Sequence, residues 1–171
     1  MFRKTNVTEL YPYEEFIQER VEAWLCEHGW RVITSVVSLS EYGPDIVAGN
    51  YGKTQSARLW TIEVKGGSRG KAEYQKAETI SVFHSGIAQI LTRMGRNTQT
   101  ASKGGDKYSI ALPDYFRKHV IKTTSCRPKL PWNVCKILNL TIFFVDEHGA
   151  VEYVDWKTIK KLNMENNYGI D

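Results

Sequence analysis

The sequence predicts an α/β domain: a central mixed β-sheet flanked by helices, with elements in the order helix, strand, strand, strand, helix, strand. Three observations carry this. Residues 13–28 place Ile17, Val21, Trp24 and Leu25 at helical spacing. Three short runs rich in apolar and β-branched residues follow closely, RVITSVVSL (31–39), PDIVAG (44–49) and ARLWTIEVK (57–65). A proline-free stretch from Lys71 to Met94 then reads as one long helix before the next strand-like run, KYSIALP (107–113).

Each element has its own signals. Gly29 stops the first helix. The polar segment NYGKTQS between the second and third runs supplies turn residues, so those runs are expected to pair as a hairpin. Gly66 and Gly67 separate the third strand from the long helix, within which Gly86 marks a bend or a close-packing point. Pro113 ends the fourth strand. A helix is expected through DYFRKHV, then a loop holding Pro128 and Pro131, a strand pair LTIFFV (140–145) and VEYV (151–154), and a last helix near Trp156–Leu162. The 171 residues suit one domain spanning 1–171, its core at about 13–113 and the C-terminal strand pair and helix at 139–162.

Composition excludes several classes. The chain is 42% apolar and 12% aromatic, with no uncharged apolar run long enough for a spanning helix, so no membrane partner is expected. MFRKTNVTEL has no apolar core behind its basic residues and is not read as a signal peptide, which gives a cytoplasmic expectation. Cys26, Cys126 and Cys135 are odd in number and lack CxxC spacing, and are read as ordinary buried thiols. GGSRGKA is no phosphate loop, because GxxxxGK[ST] needs Gly and Ser or Thr where this chain has Lys65 and Ala72. His28, His84, His119 and His148 form no zinc-binding pair, and no GxSxG occurs.

The net charge is only +4, but it is unevenly spread. Arg93, Arg96, Lys103, Lys107, Arg117, Lys118, Lys122, Arg127 and Lys129 stand against Asp106 and Asp114 alone. The stretch reads equally as a solvated basic face or as the footprint of a polyanion.

The residues that carry chemistry lie in TIEVK (61–65). Alternation along a strand puts Glu63 and Lys65 on one side and Ile62 and Val64 on the other. Asp45 follows Gly43-Pro44 on the preceding strand, where the hairpin brings it beside Glu63. Two buried carboxylates repel and raise each other's pKa unless a cation lies between them. Mg²⁺ answers that need: it takes hard oxygen ligands and is commonly held by one or two carboxylates plus phosphate oxygens. Asp45, Glu63 and the backbone carbonyl of Val64 are the expected ligands, with Mn²⁺ able to substitute. Lys65 is placed to orient or deprotonate an attacking water and to steady charge growing on a phosphorus centre.

Gly43-Pro44-Asp45 followed by Glu63-Val64-Lys65 resembles the PD-(D/E)xK nuclease superfamily, in particular archaeal Holliday-junction resolvases and Mrr-like restriction nucleases. The resemblance covers about residues 13–90. It implies a restriction-endonuclease-like three-layer core and a Mg²⁺-dependent DNA endonuclease, restriction-like or structure-specific, with Asp45, Glu63 and Lys65 catalytic. Relatives often carry an acid on the first helix. Among Glu14, Glu15, Glu19 and Glu22 the expected substitute is Glu15 or Glu19, because counting back from Gly29 reaches Gln18. Relatives also carry a polar residue on the helix after the ExK strand, which implies a catalytic role for Gln89, with Gln75 a further candidate. Arg93, one turn beyond Gln89, would share its face. Lys71, Gln75, Arg93, Arg96, Arg117 and Lys118 are the expected DNA contacts. A homodimer is expected by analogy, since cutting two strands takes two single-site subunits. The other expectations are a catalytically silent DNA-binding module of the same fold, or an interaction subunit of a DNA-processing or defence complex.

Overall fold

A computed structural model of the protein describes residues 11–35, 43–50, 58–68, 72–96, 107–121 and 130–165. Helix α1 (Glu14–Glu27) opens with two acidic residues, Glu14 and Glu15, which suit the positive end of its dipole. It gives way to Gly29, whose φ of 77° a side chain would resist. Strands β1 (Arg31–Ser35), β2 (Ile46–Asn50) and β3 (Arg58–Val64) then form an antiparallel meander in which Ile46 faces Ile62. The hairpin expected from NYGKTQS is therefore present, although residues 51–57, like 36–39 at the expected end of β1, lie outside the described residues.

Helix α2 (Ala72–Arg96) carries the chain over to β4 (Lys107–Pro113), which is parallel to β3. A parallel neighbour demands such a crossover. A 3-10 turn at Asp114–Phe116 and a short α3 (Arg117–Val120) replace the single helix expected through DYFRKHV. Strand β5 (Leu140–Val145) pairs parallel with β4, and β6 (Val151–Val154) pairs antiparallel with β5. Helix α5 (Trp156–Glu165) ends the described chain. The six described strands lie in sequence order across one sheet, which is mixed as the α/β expectation has it.

Alternation along the strands sorts the core into two sheets of contacts. Ile46, Ala48, Trp60, Ile62, Val64, Ala111, Phe143 and Val145 pack with Phe16, Ile17, Val21 and Leu25 of α1. Their strand neighbours Ile110, Leu112, Ile142 and Phe144 pack the other way, with Phe83 and Ile90 of α2, Val120 of α3 and Ile159 of α5. The result is three layers, helix, sheet, helix.

Two expectations need correction. The loop placed before β5 contains α4 (Trp132–Leu138), a seven-residue helix running from Pro131 to Asn139, which takes the left-handed conformation. Cys135 of α4 is fully buried, and Trp132 and Leu138, three residues to either side, pack partly buried against the same core. The thiols also differ. Cys135 is buried, and burial pushes it up to about 12, but Cys26 is exposed, a helical step round from the buried Leu25. Cys126 lies outside the described residues.

Candidate active site

The site forms where β2 begins and β3 ends. Because Ile46 pairs with Ile62, Asp45 and Glu63 stand one position beyond that pair on adjoining chains. Glu63 is in register with Ile110, which faces α2, so Glu63 points into the α2 layer while Ile62 and Val64 pack under α1. The odd–even alternation read from TIEVK is realised.

Asp45 Oδ2 accepts a hydrogen bond from the Val64 amide at 2.6 Å, which fixes the carboxylate against β3. Val64 thus meets the site through its backbone. Lys65 Nζ donates to Glu63 Oε1 at 3.3 Å and lies 3.8 Å from Asp45 Oδ2, so one ammonium serves both acids. Its alkyl stem is roofed by Gly86: a Cβ there would sit 3.2 Å from Lys65 Cγ and 2.4 Å from Ile110 Cδ1. Gly86 is thus the close-packing point of α2.

Glu63 is 2% exposed, and among the described residues its Oε2 has no hydrogen-bond partner. Its pKa is raised first by burial and then by the charge of Asp45, against the opposing pull of Lys65 and Arg93. An unsatisfied buried carboxylate oxygen is costly, and native proteins keep such groups where a ligand answers them.

The first-helix acid coupled to this cluster is Glu14. Burial raises its pKa, Lys65 opposes that, Asp45 adds to it, and a Gly66 backbone hydrogen bond lowers it again. Glu15 and Glu19, the expected pair, are both exposed. Gln18 is instead a polar bridge, its amide donating to Ser35 Oγ at 2.8 Å and to Glu22 at 3.1 Å. Glu14 is held close by Gly66, where an added Cβ would lie 2.5 Å from the Glu14 nitrogen and 3.0 Å from its Cα. Backbone atoms do not yield as side-chain ends do. Gly66→Ala is therefore expected to push the start of α1 off β3 and to cost about 1–3 kcal/mol, measured as a lower urea midpoint; an unchanged midpoint would show that this approach is loose.

The remaining expected site residues are scattered. Gln89 is exposed on α2. Gln75 and Arg96 fall within α2, but their side chains lie outside the described set, as does Lys71 altogether. Arg93 turns inward: its Nε stands 3.8 Å from Glu63 Oε2, and a terminal nitrogen donates to the Gly43 carbonyl. Arg117 is committed to Asp114 and to both oxygens of Glu152. It lines a polar hollow of about 370 Å³ with Asp146 and Phe144, a surface that includes none of Asp45, Glu63 and Lys65. Lys107 lies 4.5 Å from the ring centre of Trp60. Lys118 is exposed. Of the described cations of the basic stretch, Arg93, Lys107 and Arg117 thus have partners within the chain, and Lys118 is exposed.

Among the described residues no group of three or more His, Cys, Asp or Glu is placed to hold a metal ion. Two adjacent carboxylates with one buried, unsatisfied oxygen do fit a hard cation that keeps most of its shell as water or phosphate oxygen. Asp45 and Glu63 are the residues that would hold it. No described helix is long and apolar enough to cross a membrane.

No protein-family model and no curated protein sequence matches the chain. Solved structures do resemble it. An XisH family protein from Nostoc punctiforme PCC 73102 superposes with a TM-score of 0.51, and an fdxN element excision controlling factor protein from Anabaena variabilis with 0.50. Each is 17% identical, over 81% of this chain and 98% of its own length. The likeness is one of fold, which in this chain is an α/β arrangement around a mixed six-stranded sheet.

Proposed function

We propose that this chain is a Mg²⁺-dependent DNA endonuclease of the PD-(D/E)xK type, with a restriction-endonuclease-like core. The observation that carries the reading is Glu63, a buried carboxylate with an orphaned oxygen beside Asp45 and Lys65 on adjoining strands. Glu14, Asp45 and Glu63 outnumber Lys65 and Arg93, so the cluster by itself repels a phosphodiester. A divalent cation reverses that sign.

When bound, Mg²⁺ supplies Lewis-acid stabilisation of charge building on the phosphate. The chain's own groups do the rest. The Val64 amide holds Asp45 in one orientation, and Glu63 presents Oε2 from a dry position under α2. Lys65, buttressed by Gly86, orients the attacking water and stabilises the transition state. DNA is the proposed partner and a homodimer the proposed assembly.

The second reading is a DNA-binding module that controls rearrangement without cutting. It is favoured by the description of the Anabaena variabilis neighbour as an excision controlling factor. Purified protein incubated with Mg²⁺ or Mn²⁺ and labelled linear, nicked, flap, four-way-junction and methylated DNAs separates the two. Cleavage that vanishes in Asp45→Ala supports the endonuclease, and binding without cleavage supports the module. Within the endonuclease reading, Lys65→Ala is expected to slow single-turnover cleavage by roughly 10²–10³-fold while DNA affinity changes little, because its work is done in the transition state. Equal losses in gel-shift affinity and rate would reduce Lys65 to a phosphate contact.

A further inference from the structure

Arg93 reaches from α2 to both halves of the site. Its terminal nitrogen donates to the carbonyl of Gly43, two residues ahead of Asp45, and its Nε stands 3.8 Å from Glu63 Oε2. Nε and Oε2 are both buried and, among the described residues, both lack a hydrogen-bond partner. The separation is too long for a hydrogen bond, yet short enough for strong attraction between charges in a poorly hydrated site. The tie to Gly43 holds the guanidinium at that distance. Arg93 therefore neutralises Glu63 without satisfying its oxygen.

We infer that Arg93 is a resident counter-cation, which balances Glu63 and fastens the Gly43–Asp45 segment in the metal-free protein and competes with a divalent ion for Glu63. The inference rests on the metal-site reading above and adds to it an antagonism between a side chain and the metal. Lys65 does not take the same part: it donates to Oε1 and is shared with Asp45, leaving Oε2 to whatever approaches from the α2 side. Two cations that favour the same oxygen oppose each other's binding, and linkage makes the effect reciprocal. Removing the guanidinium charge should thus strengthen metal binding and weaken the apo fold, whereas loss of a positioning residue that assisted the metal would weaken both.

The test measures free Mn²⁺ by its EPR signal during titration of the full chain, with thermal unfolding in EDTA as a second readout. Arg93→Gln is expected to bind Mn²⁺ at least about fivefold more tightly than wild type, within the usual span of such couplings, and to melt earlier without metal. Arg93→Lys keeps the charge on a side chain that cannot reproduce the fork, so it is expected to melt earlier with Mn²⁺ affinity near wild type. This variant also stands in if Arg93→Gln does not fold. Unchanged or weaker Mn²⁺ binding in Arg93→Gln, with wild-type binding that Glu63→Gln abolishes, overturns the antagonism and leaves the metal site standing. Fivefold tighter binding by Arg93→Lys overturns the charge argument. Absence of any Glu63-dependent Mn²⁺ binding in wild type overturns the metal-site reading and this inference together.

Discussion

On the proposed endonuclease reading, Glu63→Gln should severely slow divalent-dependent DNA cleavage while raising the melting temperature of the metal-free protein at neutral pH. Activity falls because the neutral amide neither attracts the cation nor offsets its charge, a loss on the order of 10²–10³-fold for a group acting on transition-state charge. Stability rises because burial and the neighbouring Asp45 lift the Glu63 pKa above its ordinary 4.5, despite Lys65 and Arg93. Folding therefore favours the protonated carboxyl. The ionised form costs nothing below the ordinary value, costs progressively more as pH climbs from 4.5 towards the raised value, and carries its full penalty above that. The glutamine lacks this penalty and does not strand the cations: Lys65 keeps Asp45 at 3.8 Å, and Arg93 keeps the Gly43 carbonyl. Melting curves of both proteins in EDTA from about pH 4 to pH 8 should coincide at the acid end and separate as pH rises. A variant that melts below wild type at neutral pH would show that Glu63 is held by its cations more firmly than burial opposes it. Natural sites often carry such a trade of stability for chemistry.

The parts of this site that were legible in the sequence are those governed by the two-residue period of a strand. Glu63 and Lys65 had to share a face, and a hairpin had to bring Asp45 alongside; neither depends on tertiary detail. The first-helix acid was illegible by the route taken. Counting from Gly29 assumes that the end of α1 sets its register on the sheet, and that count reaches Gln18. The site is instead reached by the start of the helix, where Gly66 lets the Glu14 backbone approach β3. The signal available was the Gly66-Gly67 pair directly after Glu63-Val64-Lys65, which marks a close approach as well as a turn. The partners of the basic stretch were illegible for a different reason. Charge counts carry no direction, and only coordinates show Arg93 on Glu63, Arg117 on Glu152 and Lys107 on Trp60. Helix α4 was hidden by its length, since Trp132, Cys135 and Leu138 repeat at helical spacing over only seven residues, shorter than the window a period needs.

Trp60→Ala should be the most damaging single truncation in the α1 layer, at about 3–5 kcal/mol. Trp60 is 1% exposed and sits among Trp30, Phe143 and Tyr153, with ring centres 4.8, 5.2 and 5.7 Å away. The ammonium of Lys107 lies 4.5 Å from its own ring centre. Its indole nitrogen donates to Ser109 Oγ at 2.7 Å, joining β3 to β4. Truncation leaves a cavity that these rigid neighbours cannot close, and it strips Lys107 of its nearest aromatic face. Ser109 is not orphaned, because Thr141 Oγ1 remains its partner. Trp60→Phe therefore isolates the smaller terms: most of the packing stays, and the lost hydrogen bond costs about 1 kcal/mol. Against a total stability of about 5–15 kcal/mol, the alanine variant is marginal and the phenylalanine variant is not. Urea unfolding should show midpoints falling in the order wild type, Trp60→Phe, Trp60→Ala, with unchanged slopes. Similar midpoints for the two variants would place the energy in the hydrogen bond instead of the ring cluster. Because Trp60 packs under α1 while Glu63 faces α2, the divalent-ion binding proposed for Asp45 and Glu63 should, per folded molecule, match wild type wherever each variant is fully folded.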